Sequence, residues 1–359
     1  MPGEPAAAAV AGASADEAGL TFRLADARRE LAGVRLLQEV GIPGARLEFR
    51  RAGGRWELAL ERPPVSRLEY LLELRYPGGG TKVITDPANP RQVPGAFGPK
   101  RVLEFPGYAP PGWLSAPADP GRARAFELPV LDGAITVRIW SPAGAADSEP
   151  LPLLVVHDGP EYDALAAITR YLGAGTAGGW LPRLRAALLS PGHRDSWYSA
   201  SARYARVLGG TILPAIAGQV RFTAVTGMGT SLGALAMLHA YCRYPRAFDA
   251  LFLQSGSFFV PSLDSQERHF GHYRRITRFT AALHGGGPEG DGLPPRPVPV
   301  VLTCGAIEEN AANNRLMAAT LAGHGYPAEL HEGADAHNYT AWRDAFDPHL
   351  TRLLQQVTP

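Results

Sequence analysis

The chain has 359 residues, room for two domains, and 45% of them are hydrophobic, enough for a full core. Its 35 basic and 34 acidic residues leave a formal net charge of +1, which offers neither a nucleic acid nor an anionic membrane surface a charge imbalance to bind. The two cysteines, Cys242 and Cys304, have no neighbours at metal-ligand spacing and read as buried free thiols, and no apolar run approaches membrane-span length.

The first twenty residues are rich in Ala, Gly, Glu and Asp and lack the basic start and apolar core of a signal peptide. The sequence therefore predicts a disordered tail over 1–19 on a soluble, cytoplasmic protein. Residues 20–108 read as all-β. Thr21–Leu24, Arg46–Arg50, Trp56–Leu60 and Leu68–Leu74 alternate or are rich in β-formers, and Gly53-Gly54, Pro63-Pro64 and Pro77–Gly80 punctuate them. Such spacing predicts a small sandwich. Arg28–Leu36 fits a helix or a strand equally. Residues 109–123 carry Pro110, Pro111, Pro117 and Pro120, the composition of a stiff linker.

From residue 124 to 359 strands and helices alternate. Phe126–Leu131 and Ile135–Trp140 suggest an opening antiparallel pair. Leu151–His157 is an apolar run suited to burial on both faces, and Ala187–Leu189 is a weaker strand. Ala202–Ile216 has helical period. Ala250–Gln254, Pro299–Cys304 and Ala328–Glu332 read as further strands. A lower-complexity insert runs from about Asp264 to Pro297. The alternation predicts a doubly wound α/β sheet of the α/β-hydrolase class, preceded by the β-sandwich.

Within that pattern, Gly229-Thr-Ser231-Leu-Gly233 stands directly between an apolar run, Arg221–Val225, and a helix-like segment, Ala234–Arg243. A catalytic serine on a strand-to-helix elbow needs small neighbours so that strand and helix can pass closely. Gly227, Gly229, Gly233 and Ala234 supply them. Ser231 is thus the candidate nucleophile.

In this fold class the acid follows the serine and the histidine follows the acid, each beyond the C-terminal end of a strand. Beyond Cys304 lie Glu308 and Glu309; Glu308 is preferred as the acid, with Glu309 its rival as a solvated helix-start charge. Beyond Glu332 lies His337, in a loop of small residues before the last helix, the candidate base. His331 sits inside a strand, and His324 fits a helix stop. His269, His272 and His284 fall in the insert.

Each of the three types has its task. Imidazole titrates near neutral pH and can take and return the serine proton. A carboxylate fixes the imidazole tautomer. Backbone amides stabilise the oxyanion. The amide of Leu232, next to the serine, is one expected donor. The second is expected from the loop Asp158-Gly-Pro-Glu-Tyr162, where Pro160 has no N–H and Gly159 is the best remaining candidate. No metal or other cofactor is expected, and the expected partner is a small-molecule ester. Oligomeric state is not legible.

With these residues assembled, the chain resembles the enterochelin esterase family of siderophore esterases, within the esterase D group. The motifs are His157–Tyr162, Gly227–Gly233, Leu253-Gln-Ser-Gly-Ser-Phe-Phe259, Cys304-Gly-Ala-Ile-Glu308 and Ala336–Trp342, spread over most of Ile135–Leu354. The N-terminal module, with Asp86-Pro-Ala-Asn-Pro90, looks like the immunoglobulin-like domain of such esterases. Related modules precede glycogen-handling enzymes. The resemblance implies Ser231 as nucleophile, His337 as base and Glu308 as acid, and Arg194 in the position of an arginine near the substrate.

The family also holds carbohydrate-linked acyl esterases and mycolyl-type acyltransferases, so substrate does not follow from fold. An acyltransferase using the same acyl-enzyme is the alternative reading. A glycan-binding protein with an inert hydrolase domain is another, against which an intact Ser, His and acid argue. The sequence carries no extended basic patch suited to a highly charged iron-siderophore.

Overall fold

A computed structural model describes residues 12–285 and 292–358. The expected tail lies outside them up to residue 11. Past that point it departs from the expectation: β1 (Ala13–Ala15) pairs antiparallel with β2 (Gly19–Ala25). The Asp16 carboxylate closes the turn by accepting from the amides of Ala18 and Gly19, which gives so short a strand its register.

The chain forms two units, one running to Ala109 and including Ala334–Ala336, the other comprising Pro110–Gly333 and His337–Pro359. The first is a pair of antiparallel sheets. Its further strands are β3 (Gly33–Leu37), β4 (Arg50–Ala52), β5 (Arg55–Glu61), β6 (Arg67–Arg75), β7 (Thr81–Ile84), β8 (Gln92–Val93) and β9 (Lys100–Glu104). One sheet has the order β1-β2-β5-β4, the other β3-β6-β9-β8 with β7 on β6. The stretch Arg28–Leu36, ambiguous in sequence, supplies β3. Alternate residues of β2 and β5 are buried, as an inward face requires. Asp86 and Asn89 are buried because they hold the core tyrosine: Tyr70 Oη donates to Asp86 Oδ2 at 2.7 Å, and Asn89 Nδ2 donates to Tyr70 Oη at 3.1 Å.

The proline-rich stretch is not a free spacer. Trp113 is buried among Tyr171 and Phe346 of the second unit, and Arg170 donates to the carbonyls of Leu114 and Ala116.

The second unit is built on β10 (Arg122–Val130), β11 (Gly133–Ser141), β12 (Leu151–Val156), β13 (Arg185–Leu189), β14 (Phe222–Thr230), β15 (Ala250–Gln254), β16 (Val300–Gly305) and β17 (Ala328–Gly333). Their order is β10-β11-β13-β12-β14-β15-β16-β17. The two β10–β11 and β11–β13 pairings are antiparallel and the rest parallel. Every residue of β12, β13, β15 and β16 is buried, which explains their largely apolar composition. Helices cover both faces, giving two apolar layers: one includes Leu153, Leu235 and Leu302, the other Leu154, Tyr171 and Phe252. The insert holds a regular helix, Tyr273–Gly285, with Ile276 and Leu283 buried. Among the described residues no helix is long and apolar enough to cross a membrane.

The crossing of β14 with the helix Leu232–Arg243 explains the small residues of the elbow. A Cβ on Gly229 would lie 2.5 Å from the carbonyl carbon and oxygen of Gly233. Neither backbone can yield without moving the strand or the helix. Gly229→Ala is therefore expected to cost about 1–3 kcal/mol or more, read as a lower urea midpoint with an unchanged m-value.

Candidate active site

Ser231 caps the helix Leu232–Arg243 with φ 55° and ψ −123°, a conformation L-residues rarely adopt. The strain is held from both sides. The Ser231 amide donates to Gln254 O at 2.9 Å, and the Ser231 carbonyl accepts from Leu235 N and from Ser257 N. Gln254, fully buried at the end of β15, extends the clamp. Its Oε1 accepts from Tyr162 Oη, and its Nε2 donates to Thr303 Oγ1 and Trp342 O. One residue thus holds the serine turn with its main chain and Tyr162, Thr303 and Trp342 with its side chain.

Ser231, Leu232 and His337 line a cavity of about 150 Å³. Its other walls are Ser257, Phe259, Glu267, Phe270, Glu309 and Asn310. Ser231 Oγ lies 3.2 Å from Ser257 Oγ.

His337 Nδ1 lies 2.8 Å from Glu308 Oε2. Since a carboxylate only accepts, Nδ1 carries the hydrogen and Nε2 is left as the basic nitrogen. Glu308 is buried, while Glu309 is exposed. The other oxygen of Glu308 accepts from Ser255 Oγ at 2.9 Å and from Gly305 N at 2.8 Å. Ser255 Oγ in turn accepts from Trp342 Nε1, and the Trp342 ring meets His337 edge-on at 4.9 Å. A buried carboxylate with three donors is a fixed one.

The amides of Leu232, Gly233 and Ala234 precede the first bond of their helix, Leu235 N to Ser231 O, so they are orphan donors at a helix start. The neighbouring loop comes close: a Cβ on Gly233 would sit 3.1 Å from Asp158 Oδ2 and 3.2 Å from His157 Cβ. The His157 amide is already committed to Met228 O. The amides of Asp158, at φ 51°, and of buried Gly159 open the helix Gly159–Ala166. The sequence points to Gly159 alone.

Arg194 is not among the residues lining that cavity. Its Nε and Nη2 donate in parallel to Asp158 Oδ1 and Oδ2, at 2.8 and 2.9 Å, and its guanidinium lies over Tyr198. Burial opposes its charge, yet the Asp158 carboxylate more than offsets that and raises its pKa. The fork fixes the Asp158–Gly159 turn.

His157 was not singled out as a chemical group, and its burial gives it a structural one. Nδ1 donates to Gly233 O at 2.9 Å and Nε2 accepts from Tyr204 Oη at 2.9 Å, which requires the neutral ring. Burial pushes its pKa down to about 4. A depressed histidine stabilises the fold above its unfolded pKa, and that stability is lost as pH falls from about 6.5 towards 4. The shift corresponds to roughly 3 kcal/mol at most. His239 and His349 are also pushed down to about 4, chiefly by burial, and add to the same window. Urea unfolding at pH 7, 6 and 5 should show stability falling with pH, and His157→Gln should flatten that slope. An equal slope in the variant would remove His157 from the account.

His331 pairs with Glu329 and stacks on His349, and His324 Nδ1 lies 2.9 Å from Thr320 O at its helix end. Neither lines the cavity. Gln254, Ser255, Ser257 and Trp342 stand in the family-like motifs, but the sequence assigns them no role in the site; for the first three the available signal was polar residues following the apolar run Ala250–Leu253. No group of three or more His, Cys, Asp or Glu able to hold a metal occurs among the described residues.

The Esterase family model matches residues 129–353. The ferric enterobactin esterase of Salmonella typhimurium superposes with a TM-score of 0.75 at 19% identity, over 94% of both chains. The enterochelin esterase of Shigella flexneri gives 0.72 at 20%, over 94% of this chain and 93% of that one. A ferulic acid esterase gives 0.53 at 14%, over 66% and 98%. A search of curated proteins by sequence finds no match. The structural likenesses establish the fold, an α/β-hydrolase unit after an antiparallel β unit. The family match spans well over half the chain and contains Ser231, Glu308 and His337, and on it this chain belongs to the Esterase family.

Proposed function

We propose that the chain is a serine carboxylic-ester hydrolase working through an acyl-enzyme, with Ser231 as nucleophile, His337 as base and Glu308 as acid. The observation that carries this reading is the 2.8 Å pairing of His337 Nδ1 with the buried Glu308 carboxylate, beside a cavity that Ser231 and His337 share.

His337 Nε2 accepts the Ser231 proton as Oγ bonds to the ester carbonyl carbon. Oγ rests against Ser257 and must turn towards His337, as catalytic hydrogen bonds often form only with substrate bound. The carbonyl oxygen becomes an oxyanion. The Leu232 amide and an amide of the Asp158–Gly159 turn are its donors, each worth ~100- to 1,000-fold in rate. The imidazolium, held by Glu308, gives its proton to the departing alcohol. Water then attacks the acyl-Ser231, losing its proton to Nε2, and Ser231 is released with the acid.

The printed names of the similar structures support an enterobactin-type siderophore ester, or a related acyl ester, as substrate class. The test is a pre-steady-state burst with p-nitrophenyl butyrate. Acid quenching should trap one butyryl group, which peptide mass spectrometry should map to Ser231. An ester panel including catecholate siderophores then ranks substrates. Turnover without any trapped acyl group on Ser231 would overturn the mechanism.

A further inference from the structure

We infer that the part of the ester seated in the Ser231 cavity carries a positive charge, and that Glu267 and Glu309 select it over a neutral group of the same shape. The inference rests on the esterase reading and narrows its substrate class.

The cavity is identified by Ser231 and His337; its charge is the further observation. Its ionisable walls are His337, Glu267 and Glu309, and among the described residues no Lys or Arg lines it. Neither glutamate has an ion-pair partner among the described residues. They come from separate segments, Glu267 from the turn Ser265–His269 and Glu309 from the loop before the helix Ala311–Gly323, and both converge on this cavity. Burial and the neighbouring charges of Glu309 and Asp264 raise the Glu267 carboxyl pKa, with His337 alone opposing. Two unpaired carboxylates that repel each other are relieved by a cation between them.

The remaining walls suit such a cation. Phe259 and Phe270 line the cavity, and aromatic rings attract ammonium groups electrostatically. An anionic group would meet two like charges with no basic side chain to offset them. This also fits a sequence without an extended basic patch.

Matched esters test it. On the acyl side, p-nitrophenyl 4-(trimethylammonio)butanoate is compared with its neutral isostere, p-nitrophenyl 5,5-dimethylhexanoate, and with p-nitrophenyl hydrogen glutarate. On the alcohol side, butyrylcholine is compared with 3,3-dimethylbutyl butyrate. Each kcat/KM is divided by the ester's own hydroxide rate. The cationic member of at least one pair should be preferred tenfold or more, and the anionic ester should be slowest. Added salt should shrink the preference. E267Q and E309Q should each reduce the ratio, and the double variant should bring it near unity. A ratio at or below one in both pairs, or one that survives the double variant, would overturn the inference while leaving the esterase reading intact. No Ser231-dependent turnover of the neutral esters would overturn that reading instead.

Discussion

Ser231→Ala should abolish ester turnover and covalent labelling by a fluorophosphonate. The hydroxyl is the only group of this turn that can bond to the acyl carbon, so its removal eliminates the acyl-enzyme route. The expected loss in kcat is on the order of 10⁶-fold, with residual catalysis from the oxyanion donors and binding. Stability should change little, within about 0.5 kcal/mol. The strained φ of 55° persists in alanine, and the main-chain clamps from Gln254, Leu235 and Ser257 do not involve the hydroxyl. Only the 3.2 Å contact with Ser257 Oγ disappears. Kinetics, labelling and urea unfolding on one preparation check all three points. Labelling that survives the substitution would move the nucleophile elsewhere.

The second large effect is expected at Glu308. The buried carboxylate holds Nδ1–H and stabilises the imidazolium as the serine proton moves. Glu308→Gln keeps the shape but removes the charge and offers an amide that can donate in the wrong direction. The expected loss in kcat is on the order of 10³- to 10⁴-fold with KM nearly unchanged. Ser255→Ala should act through the same carboxylate. It deletes one of its three donors and leaves Trp342 Nε1 without its acceptor. Its loss in kcat should be smaller, roughly tenfold. Steady-state kinetics on one activated ester compare the two. Equal activity of Glu308→Gln and wild type would reduce the machinery to a Ser–His dyad.

The candidate site was legible in the sequence wherever its residues sit at a strand end. The elbow announced itself because Gly229 and Gly233 must be small where the strand meets the helix, a local requirement. His337 and Glu308 lie just past apolar strands, and a parallel sheet gathers such ends at one edge. The alternation of apolar strands with helices likewise determined the layered architecture.

What tertiary structure decided was direction and partnership. Two adjacent glutamates have the same local character, and only the fold turns Glu308 inward to His337 while leaving Glu309 on the cavity wall. Nothing in the sequence around Arg194 names its partner, yet it closes a bidentate pair with Asp158, 36 residues away. Ser255 and Gln254 follow an apolar strand without any pattern of their own. Their roles arise from partners 49 to 92 residues distant in the chain. Short-range pattern reports which backbone a residue can adopt, whereas hydrogen-bond partners and the charge of a cavity are set by side chains that only folding brings together.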